Sequence, residues 1–369
     1  MNPKEERLKK IALAPNGFCL AKWYQVTIDL SRGQNHSCHH PERHTIPLEE
    51  LQLSVSALHN TKFKKEQRQK MQNGIRPDEC NYCWNIEDTP QNEMKSDRFI
   101  KSTDDWAFDK LEATLMLDPN ADVAPTYLEV MFNSDCNLSC LYCMADVSTS
   151  IEREMKKWGA YPVTHSKNHR MPKLAAINEP NPYLEAFWKY FPQIYSELKH
   201  FRITGGEPLL SADTFKVLDF LASNPAPHLE LSINTNLSYN SAPLERLLSQ
   251  LKILEAKNAI KSFSFFVSLD GFGEQATFIR NGLNLTQFLN NIELIHVHSP
   301  SSQIVIMCTY NILSIASFGQ LTQFISEQKQ KGVKMVLDVS YLKEPEYLRA
   351  NLASPDLVSI MEESLALMK

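Results

Sequence analysis

From about residue 125 onward, apolar positions alternate between two rhythms. Short runs rich in β-branched and aromatic residues read as strands, and the stretches between them repeat apolar side chains every three or four positions, as helices do. Six runs qualify as strands: Tyr127–Phe132, Phe201–Thr204, Leu229–Thr235, Phe263–Leu269, Gln303–Thr309 and Val333–Val339. A helix is predicted over Asn181–Leu198, with Asn181 as its cap, Pro182 in its first turn, and Leu184, Phe187, Trp188 and Phe191 on one face. Pro192 is expected to bend that helix or end its first part. Further helices are predicted near Asp213–Ala222, Pro243–Glu255, Leu285–His296 and Ser317–Lys331, the last stopped by Gly332. Strands alternating with helices imply βα units and a parallel sheet. Six units are too few for a closed eight-unit barrel. The predicted fold is therefore α/β, an open, partial (β/α)6 TIM-like barrel with its active face at the C-terminal ends of the strands.

Before residue 100 the rhythm changes. A short helix is followed by a strand near Tyr24–Leu30, a turn at Gly33, a second strand or loop holding Cys38, and a charged helix near Lys62–Met71. This pattern predicts a separate small module of hairpin plus helix over residues 1–105, ahead of a barrel over 120–345 and a helical tail over 346–369. The stretch Ile151–Pro180, carrying Lys156, Lys157, His165, Lys167, His169 and Arg170, is polar and weakly periodic. It reads equally as a loop over the barrel mouth or as a solvated connection. No internal repeat appears beyond the βα rhythm.

Composition narrows the partners. The 369 residues are 43% apolar and 22% charged, as in ordinary globular domains. Thirty-eight basic residues against 43 acidic ones give a net charge of −5, so no cationic surplus exists to cover a phosphate backbone, and nucleic acid is not an expected partner. No apolar run reaches about 18 residues, and the opening MNPKEERLKKIALAPNG lacks a signal peptide's apolar stretch. A soluble, cytoplasmic protein with no membrane association is expected. Eight cysteines are too few for a disulfide scaffold, and seven of them fall into two groups at ligand-like spacing.

The first group follows the first barrel strand in MFNSDCNLSCLYCM, as C-x3-C-x2-C at Cys136, Cys140 and Cys143. Three thiolates on a tight loop can hold three irons of a cubane and leave the fourth iron open. Zinc competes, but a structural zinc needs four ligands, and the nearest additional donor is Asp135 or a distant histidine. The later strands end in polar motifs. Strand two ends in Gly205-Gly206-Glu207-Pro208, whose glycines permit close backbone approach and whose glutamate offers an acceptor for an ammonium. Strand three ends in Asn234, Thr235 and Asn236. Strand four carries Ser268 and Asp270, with Arg280 further on; Asp270 before Gly271 reads as a ligand contact or as a turn former. Cys308, alone in an apolar strand, reads as a small buried hydrophobe, and Tyr310 and Asn311 as residues lining a cavity.

The cysteine loop, with Tyr142 before its last cysteine, resembles the signature of radical S-adenosylmethionine (SAM) enzymes over roughly residues 125–340. The resemblance implies a [4Fe–4S] cluster on Cys136, Cys140 and Cys143, with S-adenosyl-L-methionine on its open iron. It further implies that Gly205, Gly206, Glu207 and Pro208 meet the methionine amino group. Tyr142, Asn234, Asn236, Ser268, Asp270 and Arg280 would then lie near the ribose or carboxylate. The cofactor would carry the hard chemistry.

The second group is Cys19, Cys38, Cys80 and Cys83, two singles and a C-x2-C pair. Four cysteines suit zinc or a fully ligated iron–sulfur cluster, and spacing does not separate the two. His36, His39 and His40 are alternative ligands or exposed polar filler, and Trp84 reads as core. A hairpin plus helix with cysteines in this order resembles the twitch module, a shortened SPASM domain that carries an auxiliary [4Fe–4S] cluster. Here it precedes the barrel, whereas twitch modules usually follow it. Such a cluster, with every iron ligated, would relay electrons or serve structure.

Together the resemblances imply an enzyme of oxidoreductase type that cleaves SAM reductively to a 5′-deoxyadenosyl radical and abstracts hydrogen from a peptide or small metabolite. Dehydrogenation, crosslinking and epimerisation all fit, with flavodoxin or ferredoxin as electron donor. The rivals are a glycyl-radical-enzyme activase, which usually places extra cysteines after the first loop, and a non-catalytic zinc-stabilised binding protein.

Overall fold

The computed structural model describes residues 3–90, 94–159 and 180–368. It has a mixed α/β architecture with a large parallel sheet, and its contacts resolve into two compact units. One comprises Met1–Met131 with Ala175–Phe201, the other Phe132–Leu174 with Arg202–Lys369.

In the first unit, β1 (Gln25–Asp29) turns back into β2 (Gln34–His36), which pairs antiparallel with it and with β3 (His44–Thr45). The turn needs its glycine. Gly33 has φ +63°, and a Cβ there would lie 2.0 Å from the ring of Tyr183, whose hydroxyl donates to the Ile46 carbonyl. On its other side β1 pairs in parallel with β4 (Tyr127–Met131), from Gln25 opposite Tyr127 to Asp29 opposite Met131. The sequence predicts both strands but not their pairing, because a parallel pair separated by a hundred residues leaves no local signal.

The predicted charged helix is present at Lys62–Gln72, capped by the Thr61 hydroxyl, but it is not a solvated surface helix. Lys64 and Arg68 are buried and work with buried His59. Lys64 Nζ donates to the Gln25 carbonyl at 3.0 Å, Arg68 Nε to that of Lys22 at 3.2 Å, and His59 Nε2 to that of Trp23 at 2.7 Å. Together these groups grip the backbone over residues 22–25. Burial, with Arg68 and Lys22 alongside, holds the Lys64 amine well below its ordinary pKa. The helix at Pro182–Ile194 is capped by Asn181 Oδ1, which accepts from the amides of Tyr183 and Leu184, as predicted. It runs two residues beyond Pro192 before tightening into a 3-10 turn at Tyr195–Glu197.

The second unit contains β5 (Ser139–Cys140), most of β6 (His200–Thr204), β7 (Ala226–Thr235), β8 (Ile260–Ser268), β9 (Arg280–Asn281), β10 (Gln303–Tyr310) and β11 (Met335–Tyr341). β6, β7, β8, β10 and β11 lie side by side in that order, with parallel pairing from β7 to β11. Helices at Ala212–Ser223, Ser241–Ala256, Leu285–His298 and Phe318–Gln330 connect them. Each strand expected here is present within three residues of its predicted ends. Alternation buries one face through residues such as Leu231, Ile233, Phe265 and Ile306. The other face keeps Ser232, Asn234, Phe266, Ser268, Met307 and Thr309 partly exposed. One sequence expectation fails. Ile151–Trp158, read as the start of a polar loop or connection, belongs to an α-helix over Thr149–Trp158, capped by the Ser148 hydroxyl, that buries Ile151 and Met155, four residues apart, against Ala145. His165, Lys167, His169 and Arg170 lie outside the described residues.

Candidate functional site

The cysteine loop is tied down on every side. The helix that follows grips Cys136, whose amide donates to Thr149 Oγ1 at 3.3 Å and whose carbonyl accepts from Ser150 Oγ at 2.6 Å. Behind the loop stands the turn after β6. The Glu207 amide donates to the Asp135 carbonyl at 2.6 Å, and a Cβ on Gly206 would lie 2.2 Å from that same oxygen. Gly206 is therefore required by the cysteine loop's own backbone, whereas Gly205 is required by its φ of +133°.

Glu207 is fully buried and already occupied. Its Oε1 accepts from Thr235 Oγ1 at 2.9 Å and from the Leu209 amide, and its Oε2 accepts from the Asn236 amide at 2.7 Å. Burial outweighs these bonds and pushes its pKa up to about 7. Asn236 continues the chain of contacts, donating through Nδ2 to Asn137 Oδ1 at 2.8 Å, and Asn137 donates in turn to the Ser238 carbonyl at 2.5 Å. Asn137 sits inside the cysteine loop and was not singled out from sequence. Its only signal there is a small hydrogen-bonding residue beside a cysteine.

β9 closes the remaining side. It pairs antiparallel with β5, Arg280 opposite Cys140, and the Leu141 amide donates to the Ile279 carbonyl at 2.9 Å. Arg280 Nη1 lies 3.8 Å from Cys140 Sγ, Nη2 donates to Tyr142 Oη at 2.6 Å and Asp270 Oδ1 at 3.1 Å, and Nε contacts Asp270 Oδ2 at 2.9 Å. The Tyr142 hydroxyl donates to Asp270 Oδ2 at 2.8 Å, and the Thr309 amide to Oδ1 at 2.8 Å. Asp270 is thus the buried centre of an ion-pair network, beyond anything a turn former needs.

The other predicted residues are placed differently. Asn234 points along the partly exposed sheet face and accepts from Arg202 Nε at 2.7 Å. Arg202, unforeseen as a charged residue in an apolar strand, also stacks on Phe266 at 3.8 Å. Ser268 ends β8 half-buried, opposite Met307. Cys308 is buried, and Asn311 spends its side chain on its own turn, through the Thr309 carbonyl and the Leu313 amide. Tyr310 packs edge-on against Phe318 and Tyr341.

All three thiols are sheltered. Burial raises each, pushing Cys140 to about 11 and Cys143 to about 12, with mutual repulsion among the three adding to it for Cys140 and Cys143. A metal bound here would displace the thiol protons, and its charge would offset the repulsion that raises them. Among the described residues no three His, Cys, Asp or Glu side chains converge closely enough to share one ion. The donor set of the loop is three thiols, the ligand type an iron–sulfur cubane takes.

In the first unit Cys19, Cys38, Cys80 and Cys83 line one small cavity. Lys22, 2% exposed, lines it too and pairs with Glu79. Burial, reinforced by the neighbouring thiols, pushes Cys80 and Cys83 up to about 12. Of the histidines here only His39 is exposed, as filler would be; His36 and His40 are not. His36 is buried, bonded to the Cys38 carbonyl, and held neutral by burial with its pKa lowered to about 4. His40 stacks on Tyr82 at 3.6 Å and bonds to Asp97 at 2.7 Å, while His39, half exposed, reaches Glu129. Trp84 is buried as core, its indole donating to the Pro77 carbonyl. No helix among the described residues is long and apolar enough to cross a membrane.

No family model and no curated protein matches the sequence. Among solved structures, Streptococcus suis SuiB bound to its precursor peptide SuiA is similar at 13% identity and a TM-score of 0.42, over 95% of this chain and 70% of that one. SuiB bound to S-adenosylmethionine is similar at 13% identity and a TM-score of 0.43, over 95% and 71% of the two chains. Likeness at this level says nothing about chemistry, and the site rests on its own geometry.

Proposed function

We propose that this chain is a radical SAM enzyme with its reactive [4Fe–4S] cluster on Cys136, Cys140 and Cys143 in a partial (β/α)6 barrel. The observation that carries the reading is that the segments following β6 and β7 and the short strand β9 all meet on one cysteine loop: Gly206 and Glu207 at Asp135, Asn236 at Asn137, and Arg280 at Cys140. A zinc loop held by three ligands has no need of such a frame. When bound, the cluster would ligate S-adenosyl-L-methionine at its open iron and supply the electron that cleaves it to a 5′-deoxyadenosyl radical, which takes hydrogen from substrate.

The chain's own residues prepare that site. The turn at Gly205–Pro208 fixes the loop from behind, and with the Glu207 carboxylate engaged internally, the carbonyl oxygens of this turn are the groups to meet the methionine ammonium. Asn234 and Ser268, on the partly exposed face, are assigned to the cofactor or the substrate, a peptide or small metabolite. Residues 1–105 are assigned as a twitch-like module whose four cysteines hold an auxiliary [4Fe–4S] cluster. Its enclosure by thiols and Lys22 supports this reading, and electron relay during a net oxidation, crosslinking or epimerisation is its assigned work. An electron donor of the flavodoxin or ferredoxin type is required.

The test is anaerobic reconstitution, reduction with dithionite and chromatographic detection of 5′-deoxyadenosine and methionine from added S-adenosyl-L-methionine. Wild type is expected to form both, and Cys140→Ala neither. No product from iron-loaded wild type would refute the reading.

A further inference from the structure

Arg280 meets Cys140 twice, once through the backbone and once through the side chain. The β5–β9 ladder sets the two residues opposite each other, and the Ile279 carbonyl holds the next amide, that of Leu141. That places the guanidinium on Cys140 Sγ at 3.8 Å with little freedom to leave. Asp270, 0% exposed, then grips the guanidinium from its far side through both oxygens, and the Tyr142 hydroxyl bonds to both partners. Sulfur, cation and carboxylate lie in sequence, with the guanidinium between the other two.

We propose that Arg280 and Asp270 form a charge pair that positions the Cys140 thiolate and sets its electron density, Arg280 drawing on the sulfur and Asp270 moderating that pull. The inference rests on the cluster reading above. Arg280 is in this account a positioning residue, engaged with protein partners at the cysteine side of the site. A fixed cation beside a ligating thiolate favours the reduced, more negative cluster, and a nearby anion opposes it. Removing the two charges one at a time should therefore move the potential in opposite directions. A merely structural role for the pair moves both variants the same way.

The experiment compares wild type, Arg280→Gln, Asp270→Asn and the double variant, each with iron content measured and the cluster potential titrated by electron paramagnetic resonance. Arg280→Gln is expected to shift the potential negative, Asp270→Asn positive, and the double variant to return towards wild type. The single variants leave a buried charge unpaired and risk poor folding, whereas the double variant does not. The double variant, which leaves neither charge unpaired, keeps the test alive where a single variant folds poorly: its iron content should match wild type and its potential should lie near that of wild type. Shifts of the same sign in both single variants, or no shift in either, would overturn the inference. A wild type that takes up no iron sinks the cluster reading itself, whereas iron-loaded variants with unmoved potentials sink only the charge pair.

Discussion

The Glu207 amide donates to the Asp135 carbonyl at 2.6 Å, and one residue earlier the backbone of Gly206 approaches that same carbonyl so closely that a methyl group would sit 2.2 Å from it. The turn after β6 and the cysteine loop are thus in backbone contact with no side chain between them. Gly206→Ala must push the two apart. Overpacking of this kind costs about 1–3 kcal/mol, so differential scanning calorimetry should show a lowered Tm for the metal-free variant. Reconstitution should leave it short of iron at the loop. A variant with wild-type Tm and iron content would show that the contact does not constrain the loop.

Asn137 is the loop's tie to the end of β7, through Asn236 and the Ser238 carbonyl. Asn137→Ala removes both bonds and leaves the Asn236 amide, 6% exposed, without that partner. A loss of about 1–3 kcal/mol is expected in denaturant titration, with faster loss of iron to a chelator than in wild type. An unchanged chelation rate would remove Asn137 from the site.

Glu207 gives the metal-free protein a pH signature. Burial pushes its pKa up to about 7 in the folded state from the ordinary carboxyl value of 4.5, so between these values the folded protein holds a proton that the unfolded chain has released. Its contribution is fully present below about 4.5 and is lost as pH rises through about 7. The size is on the order of 3 kcal/mol. Glu207→Gln cannot titrate. The difference in unfolding free energy between wild type and Glu207→Gln should therefore drift against wild type from pH 4.5 to pH 7 and level off above. A flat difference would mean that the carboxylate is not desolvated as described.

Lys22 is the buried cation at the four-cysteine cavity. Replacing it with Met removes the positive charge beside the four cysteines and leaves Glu79 without this partner. Lys22→Met should release iron from the first unit at lower chelator concentration than wild type while the loop at Cys136–Cys143 keeps its own. Cys83→Ala is expected to spare uncoupled cleavage of S-adenosyl-L-methionine yet lose substrate product. Normal product formation by Cys83→Ala would end the electron-relay role.

Much of this was legible in the sequence because it is local. Strand and helix periods depend on neighbours, and the three cysteines sit on one loop by their spacing. What escaped depends on distant partners. The pairing of β1 with β4, the burial of Lys64 and Arg68 under the backbone at residues 22–25, and the tie from Asn137 to Asn236 join segments tens of residues apart or more. Gly206 shows the difference well: its need for glycine was readable, but the group it approaches is the cysteine loop's backbone rather than a ligand. The helix at Thr149–Trp158 was missed because its polar residues outnumber the two apolar positions, Ile151 and Met155, that seat it.

The most direct test of the central claim is iron and sulfide content with electron paramagnetic resonance on anaerobically reconstituted protein, with and without S-adenosyl-L-methionine. Wild type should be compared with a variant in which Cys136, Cys140 and Cys143 are all alanine. The account predicts about eight irons in wild type and about four in the variant, two cubanes against one, with a spectrum that the cofactor perturbs only in wild type. Iron content that is equal in the two proteins, or a wild-type spectrum indifferent to the cofactor, would contradict it.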